Sequence, residues 1–321
     1  MSLLFVGYDF EKVNFKEIKQ MYKKEGEEVD DSDDFHIADK GIFSIADSAI
    51  TSAGGTKTLL TGFRKIYDME LKLWKPSFYP DGSFNDYFNI YQTVPFIIGF
   101  AGSTLVAQHI MNSISGHVEK LKISCDETEQ GEAIKYKINL PCEKNLVVNP
   151  SIMTLWDDDT FLDRDFENLL SAEYISNTIE HSINHALKSA RQHRLSEEEF
   201  NQMYTDIFCG FYCPIQREHQ VYIYRMKSKM TEGIFEVYTE KVKLEKNDIA
   251  VLGMRNRFEK KAKNIFLEEF EKDNPNITKV LIDFMDKCIN NVHADGSFEI
   301  NRPIVYKTLD KGRIKKVNIN V

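Results

Sequence analysis

The order of elements readable in the chain predicts an α+β fold in which two antiparallel sheets lie face to face with helices on their outer sides. Three observations carry this. An apolar strand and hairpin open the chain and are followed by a strand pair and a helix; a long amphipathic helix precedes a series of strands over 206–253; two helices and a last hairpin close the sequence. With 321 residues, 42% hydrophobic and 12% aromatic, the chain can bury one large core, and a single elaborated domain over 1–321 is expected.

Residues 2–10, Ser-Leu-Leu-Phe-Val-Gly-Tyr-Asp-Phe, form an apolar, aromatic run that reads as a strand. Residues 11–34 turn charged, with an amphipathic piece around Phe15, Ile18 and Tyr22 and an acidic tail ending Asp30-Asp31-Ser32-Asp33-Asp34, which predicts an inserted helix and a loop. Phe35–Ala38, a turn Asp39-Lys40-Gly41 and Ile42–Ala46 predict a hairpin, because glycine supplies the positive φ such a turn demands. A helix is expected after Gly102, from Leu105 to about Ile114. Lys120–Ser124 and Ala133–Leu140 read as strands, followed by an acidic aromatic segment from Trp156. Tyr174, Ile175, Ile179, Ile183 and Leu187 recur at helical spacing, which predicts one amphipathic helix over 171–193. Strands then return at about 206–213, 219–227, 233–243 and 248–253. Helices are expected at Phe258–Phe270 and Ile277–Asn290, and strands at Ile304–Lys307 and Arg313–Asn318.

Composition excludes several roles. A net charge of −9 and a pI near 5.5 argue against a general nucleic-acid binder, which needs a cationic footprint to displace counterions from phosphates. No stretch approaches the ~20 apolar residues of a membrane span, and Leu3-Leu4-Phe5-Val6 is too short and lacks the basic flank of a secretory signal. A cytoplasmic address without membrane contact is the expectation. Cys125, Cys142, Cys209, Cys213 and Cys288 are odd in number and scattered, which suits reduced thiols. Cys209 and Cys213 lie in an apolar segment that reads as a buried strand. His181 and His185 are four apart on one helix, but no third ligand is suggested and a solvated helix face is the expectation. Asp157-Asp158-Asp159 lacks the alternating oxygens and the glycine of a calcium loop. No metal and no cofactor is expected.

Gly41-Ile-Phe-Ser-Ile-Ala-Asp47-Ser48-Ala49-Ile50-Thr51 resembles the motif of proteasome β-subunits and HslV-type proteins, in which an apolar strand ends on a catalytic aspartate. Phe63-Arg64-Lys65-Ile66-Tyr67 resembles the family's next strand, and Ile97-Ile98-Gly99-Phe100-Ala101-Gly102-Ser103-Thr104 its strand-to-helix glycine turn. Asp248–Gly253 resembles the strand leading to the family's glycine-serine loop, and Ile277–Lys316 its last helix and hairpin. The resemblance implies the four-layer α-β-β-α sandwich of N-terminal-nucleophile hydrolases, with insertions at about 11–34, 68–95 and 117–170. It further implies hydrolysis of a peptide or amide substrate and a homo-oligomer associating through outer helices.

In that family the first residue of the mature chain is nucleophile and base together: its hydroxyl attacks and its free α-amine, of pKa near ~8, takes the proton. Ser2 fills this place if Met1 is removed. Ser32 is the rival, by its distance from the Asp39-Lys40-Gly41 turn, although it lacks a preceding glycine and reads equally as a cap in an acidic loop. A third reading has no nucleophile and makes the chain a non-catalytic assembly subunit. By the resemblance Asp47 orients the cationic partner, Arg64 or Lys65 holds positive charge by the nucleophile, and the Gly102 amide is the oxyanion donor. Alignment puts Arg64 in the lysine's place unless the strand slips by one residue, and a guanidinium cannot shuttle a proton. Asp295 and Ser297 stand for the family's supporting aspartate and serine with one residue between them instead of two. Asn256 replaces a supporting serine in Gly253-Met-Arg-Asn256. These departures point to a lost or changed activity.

Overall fold

The computed structural model describes residues 2–14, 35–52, 55–126, 134–142, 156–193, 195–231 and 234–319. The chain forms two compact units, one of residues 1–65, 244–311 and 315–321, the other of 66–243 and 312–314. The sequence-predicted amphipathic piece at 15–22 and Ser32 lie outside the described residues.

The first unit is built on a five-stranded sheet. It contains β1 (Leu3–Asn14), β2 (Phe35–Ala46), β12 (Ile249–Gly253), β13 (Ile304–Asp310) and β14 (Arg313–Ile319), in the order β12-β1-β2-β13-β14. β1 pairs antiparallel with both β12 and β2, so its apolar start is the middle of the sheet, and Leu3, Leu4, Phe5 and Val6 are fully buried. A strand covered on both faces reads as a continuous apolar run, which is why this segment does not alternate. Helices α4 (Arg255–Phe270) and α5 (Ile277–Ala294) lie side by side on the sheet. Phe284 of α5 stacks on Phe5 at 5.9 Å, and Phe270 of α4 meets Phe10 edge-on at 5.5 Å. α5 starts at Ile277, where the periodicity predicts it, and the Asn276 side chain caps it by accepting from the Lys279 amide at 3.2 Å.

The turn predicted at Asp39-Lys40-Gly41 is not a hairpin turn. β2 runs unbroken from Phe35 to Ala46 and its partner is β1; the register shifts between Asp9 and Phe10, which face Gly41 and Asp39, so Lys40 is the extra residue of a β-bulge. The glycine is required there for a different reason: Gly41 has φ +133°, and a Cβ on it would sit 2.3 Å from the Leu309 carbonyl oxygen of β13. Gly41→Ala is therefore expected to destabilise the protein by about 2–4 kcal/mol, read as a lower denaturant midpoint with an unchanged slope. A midpoint equal to wild type would show that the bulge relaxes without cost.

The second unit holds a seven-stranded sheet in the order β11-β10-β9-β6-β5-β7-β8. Its strands are β5 (Ile66–Phe78), β6 (Phe84–Gly102), β7 (Leu121–Asp126), β8 (Lys135–Asn139), β9 (Thr205–Tyr212), β10 (His219–Thr231) and β11 (Ile234–Lys243). All described pairings are antiparallel except β5 with β7, which is parallel. The segment 68–95, expected as an insertion, is the body of the long β5–β6 hairpin. Its turn is built by Tyr79-Pro80-Asp81-Gly82-Ser83, with Gly82 at φ +82° and the Asp81 side chain accepting from the Ser83 amide at 3.0 Å.

Helices α1 (Thr104–Val118) and α2 (Ala172–Leu187) pack together on this sheet, and a short α3 (Glu197–Met203) carries a capping box between Ser196 and Glu199. The single helix expected over 171–193 instead tightens to a 3-10 helix at Lys188–His193. Buried Ile175, Ile179, Ile183 and Leu187 put its apolar stripe into the unit's own core. Trp156, Phe161 and Phe166 of the acidic aromatic segment are buried, with Trp156 edge-on to Phe84 at 5.6 Å and Phe166 edge-on to Tyr91 at 4.7 Å. Cys209 is fully buried in β9, and burial pushes its thiol well above the ordinary cysteine range, so it is an inert core residue. Two-residue and three-residue strands β3 (Ile50–Thr51) and β4 (Thr58–Leu60) form a separate small ribbon in the first unit. Among the described residues, no helix is long and apolar enough to cross a membrane.

Candidate active site

The start of β1 and the end of β2 meet side by side, because Leu4 pairs with Ala46 across the sheet. The next residue of β2's chain, Asp47, is thereby set against Leu3. The two exchange hydrogen bonds: the Leu3 amide donates to Asp47 Oδ1 at 2.9 Å, and the Asp47 amide donates to the Leu3 carbonyl at 3.2 Å. The Ala49 amide donates to Asp47 Oδ2 at 3.0 Å. Lys65 completes the arrangement, with Nζ 2.8 Å from both carboxylate oxygens. Asp47 is 0% and Lys65 1% exposed.

This is a buried ion pair, and burial sets its chemistry. Removing two charges from water costs several kcal/mol each, so such a pair persists only where each charge is matched and hydrogen-bonded. Asp47 meets that condition with two backbone amides and the ammonium. Burial pulls the Lys65 amine below the ordinary lysine value; the Asp47 carboxylate acts in the opposite direction and offsets only part of it. Lys65 is thus closer to giving up its proton than a surface lysine.

Ser2 immediately precedes Leu3. It is 3% exposed, and its carbonyl accepts from the Met254 amide at 3.0 Å, one residue past the end of β12. Its backbone is consequently held between the ends of β2 and β12. The segment that leads to Lys65 is anchored by Ser48, to which the sequence assigned no role. Ser48 accepts from the Phe63 amide on its carbonyl (3.0 Å) and from the Gly62 amide on its hydroxyl (3.2 Å), while that hydroxyl donates to the Pro303 carbonyl at 2.7 Å.

The structure brings Asp47 and Lys65 together and joins Asp47 to Leu3, the chain neighbour of Ser2. Arg64 is exposed and Lys65 buried, in the irregular segment just before β5 begins at Ile66. Asp295 follows the last turn of α5, where its amide bonds the Asn291 carbonyl, and its carboxylate pairs with Arg257. The Ser297 amide bonds the Val292 carbonyl, and its hydroxyl donates to the Gly55 carbonyl at 3.5 Å. Asn256 is exposed in the first turn of α4. Gly102 belongs to the second unit, at the end of β6 opposite Thr205, with φ +135°; a Cβ there would lie 2.1 Å from the Tyr204 carbonyl oxygen, so only glycine fits.

No protein-family model and no curated protein matches the chain. Among solved structures it is similar to a mutant of Anbu from Hyphomicrobium sp. strain MC1, with 9% identity over 99% of this chain and 87% of that one and a TM-score of 0.45. It is also similar to Anbu from the same strain, with 12% identity over 88% and 85% and a TM-score of 0.42. A third is Anbu, described as an ancestral beta-subunit, from Yersinia bercovieri, with 8% identity over 99% and 87% and a TM-score of 0.44.

Proposed function

We propose that the chain is a proteasome-like N-terminal-nucleophile hydrolase of peptide or amide bonds, with Ser2 as nucleophile once removal of Met1 frees its α-amine. The observation that carries this is the buried Lys65–Asp47 pair hydrogen-bonded to the amide of the residue next to Ser2. A buried lysine whose proton affinity is reduced is costly as mere scaffolding, and such groups concentrate at sites of chemistry. In this reading the Ser2 Oγ attacks the substrate carbonyl carbon and its proton passes to the α-amine. Lys65 stabilises the developing oxyanionic character at Oγ and Asp47 orients Lys65. The tetrahedral oxyanion takes a backbone N–H, for which Gly102 is the proposed donor. Collapse breaks the C–N bond, the leaving amine takes the proton, and water cleaves the resulting ester. Asp295 and Ser297 are assigned supporting roles only, since Arg257 already neutralises Asp295.

The same reading proposes the four-layer α-β-β-α sandwich as a single domain. Its support is that each unit is one sheet carrying a side-by-side helix pair, and that β1 and β9 are buried along nearly their whole described length. Association into a homo-oligomer belongs to this proposal too, but the apolar stripe of α2 does not support it, being buried within its own unit. Light scattering over a concentration series is expected to show more than a monomer at about 10–50 µM, well above the dissociation constants of specific protein interfaces; a strictly monomeric mass there would remove this part.

A second reading is favoured by one specific feature. Asp47 accepts from the Leu3 and Ala49 amides and from Lys65, and Ser2 is nearly inaccessible, so the pair would serve equally to pin the start of β1 in a non-catalytic assembly subunit. Intact-mass measurement separates the two. The hydrolase reading expects loss of Met1 and a single adduct at Ser2 from a probe that reacts with N-terminal hydroxyls. Retention of Met1, or a mature Ser2 that takes no probe, would leave the assembly reading.

A further inference from the structure

The second unit gathers three histidines and a cysteine from three separate segments. His181 and His185 stand one turn apart on α2, His117 occupies the last turn of α1 packed against it, and Cys142 follows β8. The sequence spacing of His181 and His185 suggested no third ligand because the other two arrive only through the α1–α2 packing and the segment that follows β8.

The ligand atoms of His117, Cys142 and His181 all lie within 4.8 Å of one another, and Cys142 Sγ is 3.0 Å from His181 Nε2. The ring centroids are 5.6 Å apart for His117 and His181, 5.1 Å for His117 and His185, and 6.2 Å for His181 and His185. With Zn–N near 2.0–2.1 Å and Zn–S near 2.3 Å, ligand atoms on one tetrahedral zinc are about 3.3–3.8 Å apart and two imidazole centroids about 5 Å apart. His117, Cys142 and His181 lie close to those separations, and His185, its ring centroid 5.1 Å from that of His117, is placed to turn in as the fourth.

The surroundings prepare His117 as a ligand. The Ser182 hydroxyl donates its single proton to the Thr178 carbonyl at 2.7 Å, so towards His117 Nδ1, 2.8 Å away, it can only accept. Nδ1 therefore carries the ring proton and Nε2 keeps the lone pair, the second-sphere arrangement that orients metal-bound histidines. The helices carrying the ligands are tied together by Ser113 Oγ donating to the Ser182 carbonyl at 2.9 Å and by a 3.2 Å contact of His109 Nε2 with the Ala186 carbonyl. His181 and His185 are exposed and Cys142 half-buried, so an ion can enter from solvent.

We propose that His117, Cys142, His181 and His185 form a tetrahedral site for a zinc ion that clamps α1, α2 and the segment after β8. An imidazole-rich set with one thiolate selects zinc over calcium or magnesium, which take oxygen ligands. The proposal is independent of the hydrolase reading, and its test involves no activity.

The full chain, stripped with chelator, is titrated with Co²⁺ as a spectroscopic probe and then with Zn²⁺ in competition. One equivalent of Co²⁺ should give visible bands of tetrahedral intensity with a near-ultraviolet thiolate-to-metal band. Cys142→Ser should abolish that thiolate band, and His181→Ala and His185→Ala should each weaken zinc binding by about 10-fold or more. Because these three side chains are exposed or half-buried, circular dichroism should show the variants folded. Zinc should raise the thermal midpoint of wild type and not of Cys142→Ser. Octahedral cobalt bands, absence of stoichiometric binding, or affinity unchanged in the variants would each overturn the site.

Discussion

Ser2→Ala is expected to reduce hydrolysis of a cleavable amide by about 10⁴–10⁶-fold, since loss of the nucleophile leaves only binding and electrostatic assistance. The same substitution should change stability by about 1 kcal/mol or less, because it deletes one hydroxyl and leaves the Ser2 carbonyl bond to Met254 intact. Ser2→Cys keeps a nucleophile and an α-amine and should retain probe labelling. The separation between kcat and stability is what matters. A Ser2 that only holds the sheet does so through its backbone carbonyl, so Ser2→Ala would then change neither the thermal midpoint nor any turnover. Wild-type protein with free Ser2 and no turnover of any amide substrate, together with an unlabelled Ser2, would end the catalytic reading.

How far the sequence reached can be judged residue by residue. The apolar runs Leu3–Val6 and Ile249–Gly253 were legible because both are buried on both faces and contain no competing polar pattern. Helices at 104–118, 255–270 and 277–294 were legible from periodicity: the start capped by Asn276 fell where expected, while the first and last helices run a few residues past their expected C-terminal ends and the middle one begins before Phe258. The 39–41 segment failed for a physical reason. A glycine at positive φ marks a turn and a bulge alike, and only the long-range approach of Leu309 distinguishes them.

The β5–β6 hairpin was hidden differently. Its strands alternate between half-exposed and buried positions, carry many charges, and include Pro95, so periodicity is weak although Pro80-Asp81-Gly82 signals the turn plainly. At the candidate site the ambiguity between Arg64 and Lys65 was one of register, which motif matching cannot resolve. The pairing with Asp47 falls to Lys65, which is buried in the segment leading into β5, while Arg64 is exposed. Ser48 and the amides of Leu3 and Ala49 were invisible because their contribution is geometric and carries no sequence spacing of its own. The His117–Cys142–His181 cluster shows the same limit: the helix pair creates it, and one helix alone suggests only a solvated face.

The second large effect concerns the pair itself. Asp47→Ala leaves the Lys65 ammonium buried without a counter-charge and strips the Leu3 and Ala49 amides of their acceptor, so a loss of about 3–5 kcal/mol is expected. That is a large fraction of the roughly 5–15 kcal/mol that holds a domain folded, and should lower the thermal midpoint on the order of 10 °C. Asp47→Asn with Lys65→Met should recover part of it, because both charges go together, but not all, since one amide oxygen cannot serve both backbone donors.

The pH dependence carries a sign that separates electrostatics from packing. Lys65 in the folded protein has a lowered proton affinity, so between its folded value and the ordinary lysine value the unfolded state binds more protons, and stability rises with pH across that window. Removing Asp47 takes away the one charge that opposes desolvation, so in Asp47→Asn the folded value falls further and the window widens towards neutral pH. Unfolding free energy measured from about pH 7 to 10 should therefore climb more in Asp47→Asn than in wild type, with Lys65→Met flat with respect to this residue. Parallel curves for all three proteins would mean that Lys65 is not held in the buried, charge-matched state on which the site depends.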